Sequence, residues 1–424
     1  MSGQMYEAPF NLAPYLDCYS ASVLQSYTYG IIYTGYVPDG LGGWSDDEPL
    51  TGNLNLVEGT VTIDRNNTTR RTASSLTILP DEAGTLLPIV LPTLDGDNGF
   101  YSPYGNELWL YKGCILPDFS TTVAQLGVFS IGEVDVNDDG TGVSLIGTLS
   151  DRSDLISRLG FQAPYTTVSG RTVDQVINDI LNFIYVSYGG SPFPQSLASS
   201  TYVIPISNYD VGDDPWTEMC DVAASAGMEL FFDYSGTLIL QTIPVPITDT
   251  VSCVTYAEGT PSAMTTLKRG VSNKNIGNVL SVTSQGAHVT TPVTVYWWDS
   301  DSTSETYYAA APGGGFSPGP VSTLPGPDST STYPTTFSTS DTSLASTDVQ
   351  AQAIVNALGL LSVGSIDNTV FTIRDQPAHD VDDVIGAQRV VAGIPGTTYY
   401  VMDQVQIDVT PKNPLQFTAR PVPS

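Results

Sequence analysis

Metal binding is the first chemistry that the residue types suggest. The run Asp135-Val-Asn-Asp-Asp-Gly places oxygen ligands and a glycine as the first half of a calcium-binding EF-hand loop does. The bidentate glutamate that such a loop needs at its end falls on Ile146, and strand-like residues rather than helices flank the run. The pattern therefore favours a polar β-hairpin turn over a calcium site.

The two histidines, His288 and His379, are the next candidates for catalysis. The run His379-Asp-Val-Asp-Asp has metal-ligand residue types, but it precedes a strand and is better explained as a polar loop. Nucleophilic catalysis needs a base beside an activated hydroxyl or thiol, and the sequence contains neither a Gly-x-Ser-x-Gly elbow nor an HExxH motif. Gly313-Gly-Gly has no strand before it and no helix after it, which argues against a phosphate loop. We therefore predict no catalytic, cofactor-binding or metal-binding residue and no cofactor.

Two further kinds of site depend on contacts in space. The paired carboxylates of a glycoside hydrolase stay an open alternative, because 44 acidic residues are available. The cysteines Cys18, Cys114, Cys220 and Cys253 form no CxxC or Cys/His cluster, so we expect small buried hydrophobes rather than zinc ligands.

The charge balance restricts the partners. With 44 acidic and 14 basic residues the net charge is −30, which should repel nucleic acid, so a dedicated DNA- or RNA-binding role is not expected. Solubility explains such a surface, and so does a wall past which DNA slides without adhering. The densest basic run is Arg65-Asn-Asn-Thr-Thr-Arg-Arg. It is either a solvated turn, the simpler interpretation, or the contact of an acidic neighbour.

The composition favours a β-rich protein with interaction surfaces. The 39 glycines and 30 prolines, with few charges, are typical of strands and turns. The 23 tyrosines suit a sugar-binding face or a protein interface, and we prefer the interface. No signal peptide and no apolar run of membrane-span length is visible, so we expect synthesis in a cytoplasm and no membrane span.

Strand patterns dominate residues 1–150, which we predict to be a first β-barrel domain. Tyr19 to Tyr36 suggests two strands separated near Tyr29-Gly30, and strands at 53–64 and 73–79 follow. The stretch Gly105–Asp154 then predicts a meander of three strands.

Helical periodicity follows, and we predict a small α+β domain over 151–250. Thr172-Val-Asp-Gln is a capping box that opens a helix. Asp213-Asp214-Pro215 predicts the start of a second helix, and Met228–Asp233 with Thr237–Ile243 predicts a hairpin.

Strand patterns return in residues 251–298 and 365–424, which we predict to form a second β-barrel domain. Between them, we predict a low-complexity Ser/Thr/Pro/Gly loop followed by a helix over about 347–361, together residues 299–364. Three closing strands are predicted at Thr369–Arg374, Arg389–Ala392 and Tyr399–Val409. The fold class is thus mainly β with an α+β insert.

The order of these patterns resembles the minor tail proteins of long non-contractile-tailed phages of actinobacteria. These proteins are similar to the baseplate hub protein of contractile phages. The runs that carry the resemblance are Gly59-Thr-Val-Thr-Ile-Asp-Arg, Tyr104-Gly-Asn-Glu-Leu-Trp-Leu-Tyr-Lys-Gly, Leu126-Gly-Val-Phe-Ser-Ile, Ser150-Asp-Arg-Ser, Asp214-Pro-Trp-Thr-Glu-Met and the hairpin that begins at Phe231. They extend over nearly the whole chain, and their order carries the weight rather than any single motif.

The resemblance implies a tail hub at the distal tail tip of a virion. Three copies would alternate their two barrel domains in a pseudo-sixfold ring, through which DNA passes during genome ejection without specific binding. Expected partners are a distal tail or tail tube protein, a tape measure protein and tail fibre or spike proteins. Two alternatives stay open, namely a tail-associated cell-wall hydrolase and a receptor-binding adhesin.

Overall fold

The computed structural model describes 17 stretches of the chain. They are residues 25–33, 54–79, 106–115, 121–138, 143–186, 191–244, 254–257, 264–271, 279–284, 293–298, 339–342, 351–352, 354–356, 358–359, 367–374, 377–410 and 414–422. Among these residues no helix is both long and apolar enough to cross a membrane.

Six antiparallel strands at the start of the described chain close into a barrel. They are β1 Gln25–Tyr33, β2 Leu54–Asp64, β3 Arg71–Leu79, β4 Glu107–Ile115, β5 Thr121–Asp138 and β6 Val143–Ser150. Their order is β1-β4-β5-β6-β3-β2, and Tyr29 and Gly30 of β1 pair with β2 to complete the circle. Alternate apolar residues, such as Leu54, Leu56, Val61 and Ile63 of β2, fill its core because neighbouring strand residues point to opposite faces.

An α+β unit follows the barrel and has its own hydrophobic core. Its elements are α1 Ser153–Leu159, β7 Tyr165–Thr166, α2 Val173–Ile184, β8 Gln195–Leu197, β9 Asn208–Tyr209, α3 Pro215–Ala224, β10 Met228–Phe232 and β11 Leu238–Thr242. Thr172 caps α2 with the predicted capping box, and Asp214 caps α3 by accepting a hydrogen bond from the Trp216 backbone at 2.9 Å. Helices α2 and α3 and the β10–β11 hairpin were thus predicted correctly.

The remaining nine strands form a six-stranded second sheet and a small three-stranded sheet. They are β12 Val254–Ala257, β13 Met264–Val271, β14 Val279–Ser284, β15 Val293–Trp298, β16 Thr339–Thr342, β17 Asp367–Ile373, β18 Val384–Arg389, β19 Ile394–Asp408 and β20 Leu415–Pro421. Six of them form a second sheet in the order β12-β18-β19-β20-β17-β13. The strands can be numbered one to six along the chain, separately in the barrel and in the second sheet. Both then have the spatial order one-four-five-six-three-two. One pairing differs, since β12 lies parallel to β18 whereas β1 lies antiparallel to β4.

The barrel and the second sheet are joined edge to edge. Residues Thr60–Asp64 of β2 pair antiparallel with Gln404–Asp408 of β19, so that twelve strands form one continuous sheet. A single hydrophobic cluster runs through both halves, from Ile32 and Leu108 to Phe371 and Phe417. The mainly β fold with an α+β insert is therefore confirmed.

A small third sheet lies outside this frame. β14 pairs with β15 and with β16, and its Leu280 and Val282 pack against helical residues between 351 and 359. β14 lies within residues 251–298, which we assigned to the second barrel domain, but it pairs with β15 and β16 and buries apolar side chains against these helical residues. The domain limits remain a prediction.

Two local predictions differ from the structure. A single strand, β1, runs through Tyr29-Gly30, because Gly30 gives room to Leu108, whose Cδ1 would lie 2.8 Å from a Cβ at that position. Val390–Ala392 forms a 3-10 turn after β18 rather than a strand. The sequence also did not predict α1 or the strands β7, β8, β9, β13, β15, β16, β18 and β20. Most of the low-complexity loop, residues 299–338, lies outside the described residues.

Candidate functional site: a buried ionic junction

The arginine-rich turn between β2 and β3 is the centre of a cluster of buried ion pairs. Short side chains shape the turn, since Asp64 Oδ1 accepts from the Asn66 backbone at 2.9 Å and Asn67 Oδ1 accepts from the Thr69 backbone at 3.2 Å. The arginine side chains nevertheless leave the solvent, and those of Arg65 and Arg70 are 4% and 5% exposed. The solvated-turn interpretation was wrong, and the contact with acidic neighbours is confirmed.

Arg65 and Arg70 connect the barrel to both other parts of the chain. Arg65 Nη1 lies 2.6 Å from Asp382 Oδ1, in the turn before β18. Arg70 Nη2 lies 3.2 Å from Asp382 Oδ2 and 3.2 Å from Glu229 Oε2 of β10. The Arg70 guanidinium also sits 3.7 Å above the ring centre of Phe231, an arrangement that stabilises a desolvated cation.

Arg71 makes the next contact with the second sheet. Its guanidinium forms an ion pair with Asp380 and donates to the Leu126 carbonyl at 3.2 Å. Its backbone N–H donates to Asp151 Oδ2 at 2.9 Å, at the point where the barrel leads into α1. One arginine therefore fixes the exit of the first barrel against the second sheet.

Arg152 and Glu107 complete the junction from the other side of the barrel. Arg152 Nη2 and Nε donate to the two Glu107 carboxylate oxygens at 2.6 and 2.8 Å, a bidentate pair with both side chains 1% exposed. Arg152 Nη1 also donates to the Gly236 carbonyl in the β10–β11 turn at 2.8 Å. The Trp216 indole N–H donates to the Thr68 carbonyl at 3.1 Å, so α3 rests on the arginine-rich turn.

We call these eight residues the ionic junction, namely Arg65, Arg70, Arg71, Glu107, Arg152, Glu229, Asp380 and Asp382. Burial raises the pKa of Asp382 to about 6; the neighbouring Arg65 lowers this pKa and Glu229 raises it. Burial likewise raises the pKa of Asp151, which adjoins the junction. Charges in such a place are retained only when they are paired, so the junction fixes the relative positions of three chain segments.

His379 lies beside the junction in a hydrogen-bonded triad. Its Nδ1 is 3.0 Å from Asp383 Oδ2 and its Nε2 is 2.7 Å from the Tyr256 hydroxyl. An imidazole that donates from Nδ1 and accepts at Nε2 satisfies all three groups. The triad has the residue types of a proton relay, but Tyr256 and His379 are each 2% exposed. The arrangement ties β12 to the turn before β18.

The other residues considered in the sequence are dispersed. Asp135 and Asn137 lie in β5, which pairs with β6 up to Asp138 and Val143, so the predicted hairpin is confirmed. Cys220 packs partly buried against the α+β core, where burial raises the pKa of its thiol to about 12. His288, Gly313, Cys18 and Cys253 lie outside the described residues. Within the described stretches, His, Cys, Asp and Glu form no group of three that could hold a metal.

Sequence reasoning missed the acidic half of the junction. Glu229 and Asp382 stand 159 and 312 positions after Arg70, and nothing local marks either as its partner. The one available signal was the arginine run itself. Three arginines in a chain with 14 basic residues are a large concentration of positive charge opposite 44 acids.

An aromatic face covers the outside of the barrel. Tyr29 stacks on Tyr27 and Tyr111 with ring centres 6.0 and 5.1 Å apart, and Tyr33 stacks on Trp109 at 4.3 Å. All five side chains are half-buried. Stacked rings held by neighbouring strands are a typical contact surface for a protein partner.

Comparison with known proteins identifies the fold. No protein-family model matches the sequence, and no curated protein matches it. Among solved structures, the chain is similar to the tail protein from Neisseria meningitidis MC58, with a TM-score of 0.54 and 9% identity over 93% of this chain and 96% of that chain. It is also similar to the 43 kDa tail protein of prophage MuSo2 from Shewanella oneidensis, with a TM-score of 0.51 and 9% identity over 92% and 98% of the two chains.

A chain of the Francisella PdpA–VgrG complex shares the fold as well. Its TM-score is 0.53 at 10% identity, over 97% of this chain but 55% of that chain. The protein therefore has the fold of phage tail proteins, which confirms the resemblance found in the sequence at the level of fold.

Proposed function

We propose that this chain is a structural tail hub. Three copies form a pseudo-sixfold ring at the distal tail tip, which joins the tail tube or distal tail ring to the tip and lets DNA pass during ejection. The observation that carries the proposal is the repeated strand order of the two sheets, joined by β2 and β19. A chain with two similar units presents six similar surfaces when three copies close around an axis, and a sixfold tube can dock on those surfaces.

The ionic junction supports a mechanical rather than an enzymatic role. Its charged groups are used on one another, and the Tyr256–His379–Asp383 triad is buried away from any substrate. A ring that holds a threefold tip on a sixfold tube needs its barrel and second sheet fixed at a constant angle, which buried ion pairs between the segments provide. The net charge of −30 keeps DNA from adhering to the passage.

A reconstruction of the virion tail that contains this chain tests the proposal. We expect three copies around the tail axis, with barrel and second sheet alternating, in contact with a distal tail or tube protein and with fibre, spike or tape measure proteins. One copy per tail, or a location on the capsid, would contradict it. Zymography on host cell walls adds an independent check, because a cleared band that disappears on substitution of one carboxylate would favour a hydrolase.

A further inference from the structure

Within one chain, β2 of the barrel pairs with β19 of the second sheet. The described residues contain no equivalent pairing between β13 of the second sheet and β5 of the barrel. In β19, the pairing with β18 runs from Ile394 to Val401, and β2 then occupies the vacated side from Gln404 onward. In β5, the pairing with β4 ends at Ser130, and residues 133–138 pair only with β6 among the described strands. Beyond Ser130, β4 no longer pairs with β5. This edge of β5 therefore corresponds to the edge of β19 on which β2 pairs.

The strand of the second sheet that is equivalent to β2 is β13. It occupies in the second sheet the position that β2 occupies in the barrel, and β17 is its one strand partner in the described chain. The 3-10 turn also touches β13, without strand pairing. Thr265, Thr266, Lys268, Arg269 and Gly270 of β13 are exposed. A long exposed edge strand is a surface on which another strand can add.

We infer that β13 of one copy pairs antiparallel with residues 133–138 of β5 in the next copy, as β2 pairs with β19 within the chain. The inference rests on the proposed function and deepens it, since it names the surfaces on which neighbouring copies of the ring meet. The contact is heterologous, with a different edge from each copy, and such contacts form rings when the rotation closes.

Two β-bulges show which residues of β5 and β19 are structurally equivalent. In β5, a bulge between Ile131 and Glu133 follows the point where β4 stops pairing. In β19, a bulge between Met402 and Gln404 follows the point where β18 stops pairing. Glu133 and Gln404 therefore correspond, and both stand opposite a threonine of the sixth strand. Two residues further, Asp135 corresponds to Gln406.

The equivalence of residues in β13 and β2 follows from the strand pairings in the same way. Ile131 and Met402 stand opposite Leu149 and Ala419, which in turn stand opposite Ala73 and Thr369. Because Val61 pairs with Ala73 and Arg269 with Thr369, Val61 corresponds to Arg269 and Thr62 to Gly270. Thr62 lies opposite Gln406 within the chain, so Gly270 lies opposite Asp135 of the next copy.

The charges of the two edges are complementary in this register. Glu133 and Asp135 are exposed on β5, and Lys268 is exposed on β13, two positions from Gly270 on the same face. Lys268 then stands diagonally across from Asp135, within reach of a long side chain. A lysine is uncommon in this chain, so its position on the edge that faces two acids favours a partner with the charge of β5.

Disulfide trapping tests the register. In the full chain we would introduce Asp135→Cys together with Gly270→Cys, because directly opposed strand residues lie within disulfide reach. Under mild oxidation we expect covalent oligomers that close at three chains on a non-reducing gel. The matched control combines Thr148→Cys, which is exposed one strand further from the edge, with Gly270→Cys, and we expect little cross-linking from it.

Charge exchange tests the complementarity. Lys268→Glu should weaken self-association by about tenfold, and adding Asp135→Lys should restore it. Arg171→Glu makes the same change in net charge at a half-exposed position on the α+β unit, where Arg171 pairs with Asp179, and should leave self-association unchanged. An increase in association with Lys268→Ala would overturn the inference, because the lysine would then guard the edge against pairing.

The outcomes separate the inference from the proposed function. A trimeric ring in which the Asp135→Cys/Gly270→Cys pair cross-links no better than its control would overturn the inference and leave the hub role intact. A chain that is monomeric at every concentration and present as single copies in the virion tail would overturn the proposed function as well.

Discussion

At the scale of single residues, the Glu107–Arg152 pair determines how firmly the α+β unit is held on the barrel. Arg152→Met leaves the Glu107 carboxylate buried without its partner, which should cost about 3–5 kcal/mol of unfolding free energy. The midpoint of denaturant unfolding followed by tryptophan fluorescence measures this loss. Arg158→Met is the matched control, because Arg158 is 46% exposed in its pair with Asp154 and should cost less than about 1 kcal/mol.

A double substitution at the same pair separates the effect of the buried charges on stability from the effect of side-chain shape. Replacing both partners, with Glu107→Leu and Arg152→Met, removes the two buried charges together and should recover most of the stability that the single substitution loses. If the double variant were as unstable as Arg152→Met alone, the hydrogen bond from Arg152 to the Gly236 carbonyl would be the more important contact.

Asp382 should make the stability of the junction depend on pH. Burial raises its pKa from 3.8 to about 6, so the folded state binds the proton more tightly than the unfolded state does. The stabilisation is complete below the unfolded pKa and is lost as the pH rises through about 6. Between pH 7 and pH 5 the protein should therefore gain about 1 kcal/mol relative to an Asp382→Asn variant, measured by urea unfolding at each pH. Parallel pH profiles of the two proteins would contradict this.

At the scale of elements, the sequence predicted what neighbouring residues determine. The capping box at Thr172 and the apolar stripe of Val173, Val176, Ile177, Ile180 and Leu181 specify α2, and all five of those side chains are buried in the α+β core. The β5–β6 hairpin was equally predictable, because alternation on both strands and a polar turn between them lie within one short segment.

Two failed predictions have different physical causes. The arginine-rich turn has the local signals of a solvated loop, and its burial depends on acids 159 and 312 positions away. Val390–Ala392 has the β-branched residues of a strand but forms a 3-10 turn that ends at Gly393, whose φ of 79° lies in the left-handed region. Tertiary contacts override the local signals in the arginine-rich turn, whereas a left-handed glycine ends the 3-10 turn locally.

At the scale of the whole molecule, the repeated strand order and the net charge of −30 act against each other. In the proposed ring, the edges of β5 and β13 would bring copies together, with a local attraction between Lys268 and the acids of β5. The overall negative charge opposes the approach of any two copies over a much longer distance. The same repulsion keeps DNA off the passage of the proposed ring, so the charge that suits the function also makes assembly sensitive to salt.

Self-association should therefore tighten as salt rises from very low to physiological concentration. The screening length falls from about 30 Å at 0.01 M to about 8 Å at 0.15 M, which removes the repulsion between whole copies but leaves short contacts across the paired strands. Sedimentation of the full chain over this range should show the apparent Kd for self-association falling by about tenfold or more. Sucrose at matched osmolality should have no such effect, because it does not screen charge. Weaker association at higher salt would mean that local ion pairs at the strand edges outweigh the net charge, and the edge contact would then have to be mainly electrostatic rather than a backbone pairing.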